Sequence, residues 1–288
     1  NRRGFSDSFE QAVRRARRRG IGLGVLLLDI DRFKSLNDNF GHKAGDDIVT
    51  EAAKRIQSTL REGDFCGRWG GDEFVVLIAD CDQAVLQSAA LRILGAFRTQ
   101  PFEHTDGVRV RLTTSIGAHL VTPSDTLESA IINADIALYA AKSAGGMVVM
   151  MFEPKMRDHI RRRVSMVQRA RAAIRDDRVV PYYQPKLDLV RGSIYGFEAL
   201  LRWRMPNGRI GQPAAIEAAF EDLEVAAAIS DRMIDRAITD MRGWLDRGVA
   251  FNHVAVNAAA AEFRSDNFAE RVLEQLRRAE IPTSCFQI

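Results

Sequence analysis

Arg68-Trp69-Gly70-Gly71-Asp72-Glu73-Phe74 sets two glycines and two acids between the segment Phe65–Arg68 and the apolar run Phe74–Ala79. Paired glycines between two such segments predict a tight β-hairpin turn. Glycine takes backbone angles that other residues resist, and it lets a bulky anionic ligand approach the main chain. Upstream, the nearly continuous apolar run Val25–Ile30 predicts a buried central strand, with Asp29 at its end and Asp31 two residues further on. Acids on a hairpin tip, facing acids at the end of a neighbouring strand, form a set of hard oxygen donors. Mg²⁺ is typically held by one or two carboxylates together with substrate phosphates. Strand alternation would place Asp29 and Asp31 on one face, but Asp31 is equally suited to cap a helix starting at Arg32. An ionised Asp29 beside a buried strand needs a partner.

Outward from these segments, Ser6 or Ser8 is placed to cap a helix that runs through Ala12, Val13 and Ala16 and stops at Gly20. Phe33, Leu36 and Phe40 recur at helical spacing up to Gly41, and Ala44–Leu60 carries Ile48, Ala52, Ile56 and Leu60 on one helical face. Asp82–Phe97 reads as helix, Asp106-Gly107 as a turn into a strand over Val108–Leu120, Thr126–Ala144 as helix, and Val148–Phe152 as strand. This mixture predicts an α/β (α+β) sheet domain over residues 1–153. Residues 154–178 read as a linker helix. From 179 onward, strands at Val179–Gln184, Tyr195–Leu201, His253–Val256 and Phe286 alternate with helical stretches at Ile216–Trp244 and Phe268–Ala279. That rhythm predicts the first part of a barrel, although periodicity alone does not separate it from a doubly wound sheet.

The bulk properties suit two globular domains: 288 residues, 46% hydrophobic and 27% charged. A net charge of only +3 implies no polyanion partner, and no nucleic acid is expected. The arginine clusters Arg14–Arg19 and Arg157–Arg163 read more readily as solvated helix faces than as a nucleic-acid patch. Cys66, Cys81 and Cys285 lack metal-ligand spacing, and their odd number argues against a disulfide framework, which fits a reducing cytoplasm. No apolar run approaches the length of a membrane span, and no signal peptide is visible. The chain opens on Asn1 and stops on Ile288 just after a strand, so a piece of a longer protein is expected, with any upstream sensor or membrane anchor outside it.

With Gly70-Gly71-Asp72-Glu73-Phe74 intact, and with Leu28-Asp29-Ile30-Asp31-Arg32-Phe33-Lys34, Asn37-Asp38, Phe40-Gly41-His42 and Ala44-Gly45-Asp46 upstream, the first part resembles the GGDEF family of diguanylate cyclases. The resemblance implies a fold like the nucleotidyl cyclases and the polymerase palm. It implies condensation of two GTP molecules to cyclic di-GMP and pyrophosphate with Mg²⁺ (or Mn²⁺). A homodimer is implied for activity, because each protomer offers one substrate site. Carried over by position, Asp29 and the Ile30 carbonyl hold the metal. Asp72 is the metal-binding acid of the hairpin, with a possible general-base role, and Glu73 stands beside it among the catalytic and metal-binding acids. Asn37, His42 and Asp46 contact the guanine nucleotide. Lys142 neutralises triphosphate charge, although as a residue it also reads as a helix-end lysine favoured by the dipole. The family usually continues Gly-Arg-Asn where this chain has Gly145-Gly146-Met147, so a phosphate-clamping arginine is missing.

Arg61-Glu62-Gly63-Asp64 precedes Gly70 by the five residues Phe65 to Trp69, which matches the inhibitory RxxD site of the same family. Arginine can fork onto phosphate or a guanine edge, and an aspartate can accept from guanine N–H groups. Arg92 on the next helix is a secondary contact in this reading. Tyr182-Tyr183-Gln184-Pro185 and Gly196-Phe197-Glu198-Ala199-Leu200-Leu201-Arg202-Trp203 resemble the opening of EAL phosphodiesterases, Mg²⁺- or Mn²⁺-dependent TIM-like barrels that cleave cyclic di-GMP. Glu198 is then a metal ligand, Gln184, Leu200 and Arg202 touch the dinucleotide, and Asn257 matches the next metal-ligand segment. The family's later ligands are expected after residue 288, so the barrel is expected to be truncated and residues 1–288 to lack phosphodiesterase activity. Two other readings stay open. The first domain can be a non-catalytic GTP- or cyclic di-GMP-binding module, or an allosteric GTP site in a parent phosphodiesterase.

Overall fold

A computed structural model describes residues 2–99, 101–103, 109–260, 262–264 and 267–288. The expected turn at Asp106-Gly107 lies outside the described residues. The chain divides into two units, Asn1–Ile160 and Arg161–Ile288.

In the first unit, α1 (Arg2–Arg19) leads into β1 (Leu23–Ile30), α2 (Phe33–Thr59), the hairpin β2 (Phe65–Gly70) and β3 (Glu73–Ala79), and α3 (Gln83–Thr99). The short strands β4 (Phe102–Glu103) and β5 (Arg109–Val110) follow, then β6 (Thr114–Leu120), α4 (Leu127–Ser143) and β7 (Val149–Met151). The main sheet has the order β2-β3-β1-β6-β7. In it β1 runs antiparallel to both β3 and β6, and β7 parallel to β6.

The apolar run of β1 is buried along its whole length because both of its faces are covered. Leu26, Leu28 and Ile30 join Ile48 and Ile56 of α2 and Ile93 and Phe97 of α3. Leu23, Val25 and Leu27 join Phe5 and Phe9 of α1 and Ala134 and Leu138 of α4. Each fully buried large aliphatic side chain contributes roughly 1.5–3 kcal/mol. Where β6 meets α4, Gly117 is required by space. A Cβ there would lie 2.0 Å from the Ala134 carbonyl oxygen and 2.2 Å from the Leu138 nitrogen.

Three local expectations need correction. Neither Ser6 nor Ser8 starts α1; Ser8 Oγ donates to the Gly4 carbonyl from inside the helix at 2.9 Å. Phe5 already packs against Phe65 and Trp69, so burial begins upstream of the serines and carries the helix with it. The strand expected over 108–120 is interrupted between β5 and β6, where the Thr113 carbonyl accepts the Asp31 N–H at 3.0 Å instead of joining a ladder. The helical stretch expected at 216–244 is a 3₁₀ turn, Pro213–Phe220, and then a separate helix capped by Asp222. The break expected at Gly41 is present, with φ 82° and ψ 164° inside α2.

The boundary between the units falls within α5 (Pro154–Arg175). The second unit continues with β8 (Val179–Asp188), β9 (Ser193–Arg204), β10 (Ile210–Gly211), α6 (Leu223–Asp246), β11 (Val254–Val256), α7 (Phe268–Arg278) and β12 (Phe286–Gln287). From β9 onward the expected parallel pattern holds, as β9, β11 and β12 run parallel. Ahead of it β8 pairs antiparallel with β9, through a turn in which Asp188 Oδ1 accepts from the Val190 and Arg191 N–H groups. Ala199 and Trp203 face a core shared with Ile216, Ile234 and Met241. Among the described residues no helix is long and apolar enough to cross a membrane.

Candidate functional site

Residue parity builds the site. Asp29 continues the Leu23–Val25–Leu27 row of β1, and Glu73 continues the Val75–Leu77 row of β3, so both face α1 and α4. The register sets Asp29 directly opposite Glu73 on one side and Ser115 of β6 on the other. Like charges placed opposite each other across antiparallel strands repel. Burial pushes the Asp29 carboxyl above its ordinary value. Asp72 and Asp31 add to that push, and Lys142 opposes it. The Glu73 carboxyl is raised too, by burial first and then by Asp29, Asp135 and Asp72. The last turn of α4 answers this charge with Lys142, whose Nζ lies 2.6 Å from Asp29 Oδ2.

The hairpin forms as its glycines predict. Gly70 pairs with Glu73 across a tip made of Gly71 and Asp72, with Gly71 at φ 49°. Arg68 Nε donates to the Gly71 carbonyl at 2.8 Å and so clamps the turn that carries Asp72.

Asp31 neither caps α2 nor stays idle. Arg32 occupies the cap position with no side-chain cap bond. Asp31 Oδ1 accepts from Ser115 Oγ at 2.6 Å, and its Oδ2 accepts from the Met147 N–H at 3.3 Å. The loop that delivers Met147 runs through Gly145, Gly146 and Met147, all at positive φ. An open cleft of about 670 Å³ lies between these elements, lined by Asp29, Asp31, Arg32, Arg111, Lys142 and the Gly145–Met147 loop.

Asn37 lies before the Gly41 break, and His42 and Asp46 after it. His42 and Asp46 are exposed, while the Asn37 amide oxygen is buried without a hydrogen-bond partner beside Gly45. Ile30 is buried opposite Thr114. At the proposed inhibitory motif, both Asp64 oxygens take backbone donors, Oδ2 from Arg61 N–H and Oδ1 from Ala79 N–H. Arg92 Nε donates to the Thr59 carbonyl at the end of α2, close in sequence to Arg61.

In the second unit, Glu198 lies opposite Gln184, and Leu200 and Arg202 share its face of β9 by alternation. Asn257, just past β11, donates from Nδ2 to Glu198 Oε1 at 2.9 Å. Arg202 turns back to the Leu201 carbonyl. Among the described residues of either unit, no three His, Cys, Asp or Glu side chains are grouped closely enough to hold a metal ion by themselves.

Ser115, Asp135, Arg32 and Arg111 escaped the sequence reading. For Asp135 a signal existed: it lies seven residues, two helical turns, before Lys142 and so shares its face. Arg32 directly follows Asp31 in the chain, whereas Ser115 and Arg111 meet the site only through long-range register.

A family model described as "Diguanylate cyclase, GGDEF domain" matches residues 1–147, and one described as "EAL domain" matches residues 167–288. The second match begins inside α5 and takes in the rest of the chain, wider than the opening portion expected from 179. MucR of Pseudomonas aeruginosa, a bifunctional diguanylate cyclase/cyclic di-GMP phosphodiesterase, is 34% identical over 286 residues, which are 99% of this chain and 41% of MucR. NbdA of the same organism, a cyclic di-GMP phosphodiesterase, is 32% identical over 99% of this chain and 36% of its own length. The chain thus spans about two fifths of these relatives or less. Among solved structures, the GGDEF domain of TpbB (YfiN) from Pseudomonas aeruginosa superposes with a TM-score of 0.54 at 34% identity, covering 56% of this chain and 94% of that one. The GGDEF domain of DgcB from Caulobacter crescentus, solved in complex with c-di-GMP, gives 0.50 at 28% identity, covering 52% and 87%.

Proposed function

The chain belongs to the GGDEF family of diguanylate cyclase domains over residues 1–147 and continues into an EAL domain over residues 167–288, and from that premise we propose that its first unit condenses two GTP molecules to cyclic di-GMP. The observation that carries this reading is the cross-strand pair Asp29–Glu73, with Asp72 on the adjoining turn and Lys142 bound to Asp29 at the mouth of the cleft. Such a concentration of acids is unfavourable unless it is used.

Asp29, the Ile30 carbonyl, Asp72 and Glu73 are the donors that would hold Mg²⁺ or Mn²⁺. The set fits: hard oxygens only, in electrostatic contact, with one lysine against them. The lack of a three-ligand cluster among the described residues suits an ion whose shell is completed by substrate phosphates. A divalent ion there supplies charge neutralisation at the phosphorus under attack. Lys142 adds a mobile positive charge beside the same acids. Glu73 or Asp72 takes the proton of the attacking 3′-hydroxyl as its oxygen bonds to the α-phosphorus and pyrophosphate leaves. Burial, and then the neighbouring acids, raise the Glu73 carboxyl, which favours it as a proton acceptor. Asn37, His42 and Asp46 receive the guanine nucleotide, and the unpartnered Asn37 oxygen gains a donor when they do. Two such domains facing each other, each with one GTP, complete the ring, so a homodimer is required. Cyclic di-GMP arrests it at Arg61, Asp64 and Arg92.

A second reading, a regulatory domain that binds GTP or cyclic di-GMP without turning it over, is favoured by Gly146, which offers no side chain to the phosphates. For the EAL unit, Glu198 and Asn257, hydrogen-bonded to each other, are donors that would hold a divalent metal ion. Incubation with GTP and Mg²⁺ followed by chromatography separates the readings. Cyclic di-GMP from the wild type and none from Asp72→Ala supports catalysis; no product from the wild type rejects it.

A further inference from the structure

We propose that Arg32 and Arg111 form the phosphate-recognising wall of the cleft and take the phosphates beyond the first of a bound nucleoside triphosphate; this rests on the nucleotide reading above and adds residues to it. The charges already in the cleft are mutually engaged. Lys142 is bound to Asp29, and Asp31 is held by Ser115 and by the Met147 N–H. Arg32 and Arg111 also line the cleft, both are exposed, and neither guanidinium makes a hydrogen bond or ion pair among the described residues. Three other arginines of this unit are tied to backbone carbonyls: Arg68 to Gly71, Arg92 to Thr59 and Arg98 to Met147. With these two guanidiniums the cleft is lined by three cationic side chains, Arg32, Arg111 and Lys142, against two carboxylates, Asp29 and Asp31, which leaves it net positive.

The backbone brings the two together. The Asp31 N–H donates to the Thr113 carbonyl at 3.0 Å, which ties the residue before Arg32 to the segment two residues after Arg111. Arg32 itself is held at φ 58°, a left-handed conformation unfavourable for arginine, and such outliers gather at binding sites. The Gly145–Met147 loop that also lines the cleft carries no cationic side chain of its own. Gly146 sits at φ +78°, and a Cβ there would lie 3.2 Å from Asp31 Oδ1 and 3.4 Å from Ser115 Oγ. Guanidinium groups match phosphate with parallel N–H donors, which a lysine does not reproduce.

The test is calorimetric binding of 3′-deoxy-GTP and 3′-deoxy-GMP, which cannot be cyclised, to residues 1–288 in Mg²⁺. Arg32→Ala and Arg111→Ala are each expected to lose about tenfold in affinity for the triphosphate. Affinity for the monophosphate and the melting temperature should hold, and Arg111→Lys should fall between. Triphosphate affinity unchanged in the double variant, with the wild type binding, overturns this proposal and leaves the nucleotide site standing. Equal losses for both ligands overturn it as well. A wild type that binds neither ligand overturns both the proposal and the reading beneath it.

Discussion

Lys142 Nζ and Asp29 Oδ2 lie 2.6 Å apart, which joins the last turn of α4 to the end of β1 and sets the Lys142 amine on the more buried of the two acids, Asp29 and Asp31, that line the cleft. Lys142 is itself nearly half exposed, so the pair sits at the rim, where exchange of the amine onto a phosphate costs little. Lys142→Ala is therefore expected to weaken GTP binding by about tenfold, as one charge-assisted contact is lost. Its Asp29 carboxyl should titrate higher than in the wild type, because the lysine now lowers it. Isothermal titration and carboxylate NMR read the two effects, and an unchanged GTP affinity would show that Lys142 serves only the fold.

The placement of α4 depends on Gly117. With backbone atoms of Ala134 and Leu138 near 2 Å from an added Cβ, Gly117→Ala must push α4 away from β6. A loss of about 1–3 kcal/mol is expected. Thermal unfolding should register it as a drop of several degrees in the first transition, with weaker GTP binding because Lys142 moves with the helix.

The same helix is anchored at its start by Asp125, which accepts from Thr122 N–H, Ser129 Oγ and the buried ring of His119. Burial opposes ionisation of Asp125, but these donors prevail and hold its carboxyl down at about 2. A folded-state value below the unfolded one stabilises above the unfolded value and is lost as pH falls through the folded one. Asp125→Ala should cost on the order of 1–2 kcal/mol at pH 7. The gap to the wild type should close as pH falls from about 4 to about 2. A gap that does not depend on pH would mean that packing, not ionisation, sets the cost.

In the second unit, the Tyr183 hydroxyl donates to Asp240 Oδ2 at 2.7 Å, linking β8 to α6. Burial and the Asp240 charge raise the tyrosine's ionisation well above its ordinary range, so it remains a donor throughout the working pH range. Tyr183→Phe is expected to destabilise this unit by about 1–2 kcal/mol and leave the first unit unchanged. Equal shifts in both transitions in calorimetry would contradict that division.

Much of this was legible locally. The Gly70-Gly71 turn, the doubly buried β1 and the break at Gly41 each follow from a few neighbouring residues. What local pattern does not encode is register. That Asp29 stands opposite both Glu73 and Ser115 depends on pairing between distant strands, and a slip of one residue would turn Glu73 to the other face. For the same reason Asp31 was legible only as a strand-end acid or a helix cap, because its partners Ser115 and Met147 arrive from far along the chain. The β8–β9 hairpin was missed because its turn rests on the Asp188 carboxylate accepting two backbone N–H groups and on a single glycine, Gly192 at φ 65°, rather than on paired glycines.

Direct observation of the cation decides the matter. Mn²⁺ binding to residues 1–288 is followed by electron paramagnetic resonance, with and without 3′-deoxy-GTP, in the wild type, Asp29→Asn and Asp72→Asn. The expected result is Mn²⁺ binding that strengthens with nucleotide and weakens by about tenfold or more in each folded variant. Mn²⁺ and nucleotide affinities that stay the same in both variants would contradict a cation site built from these acids.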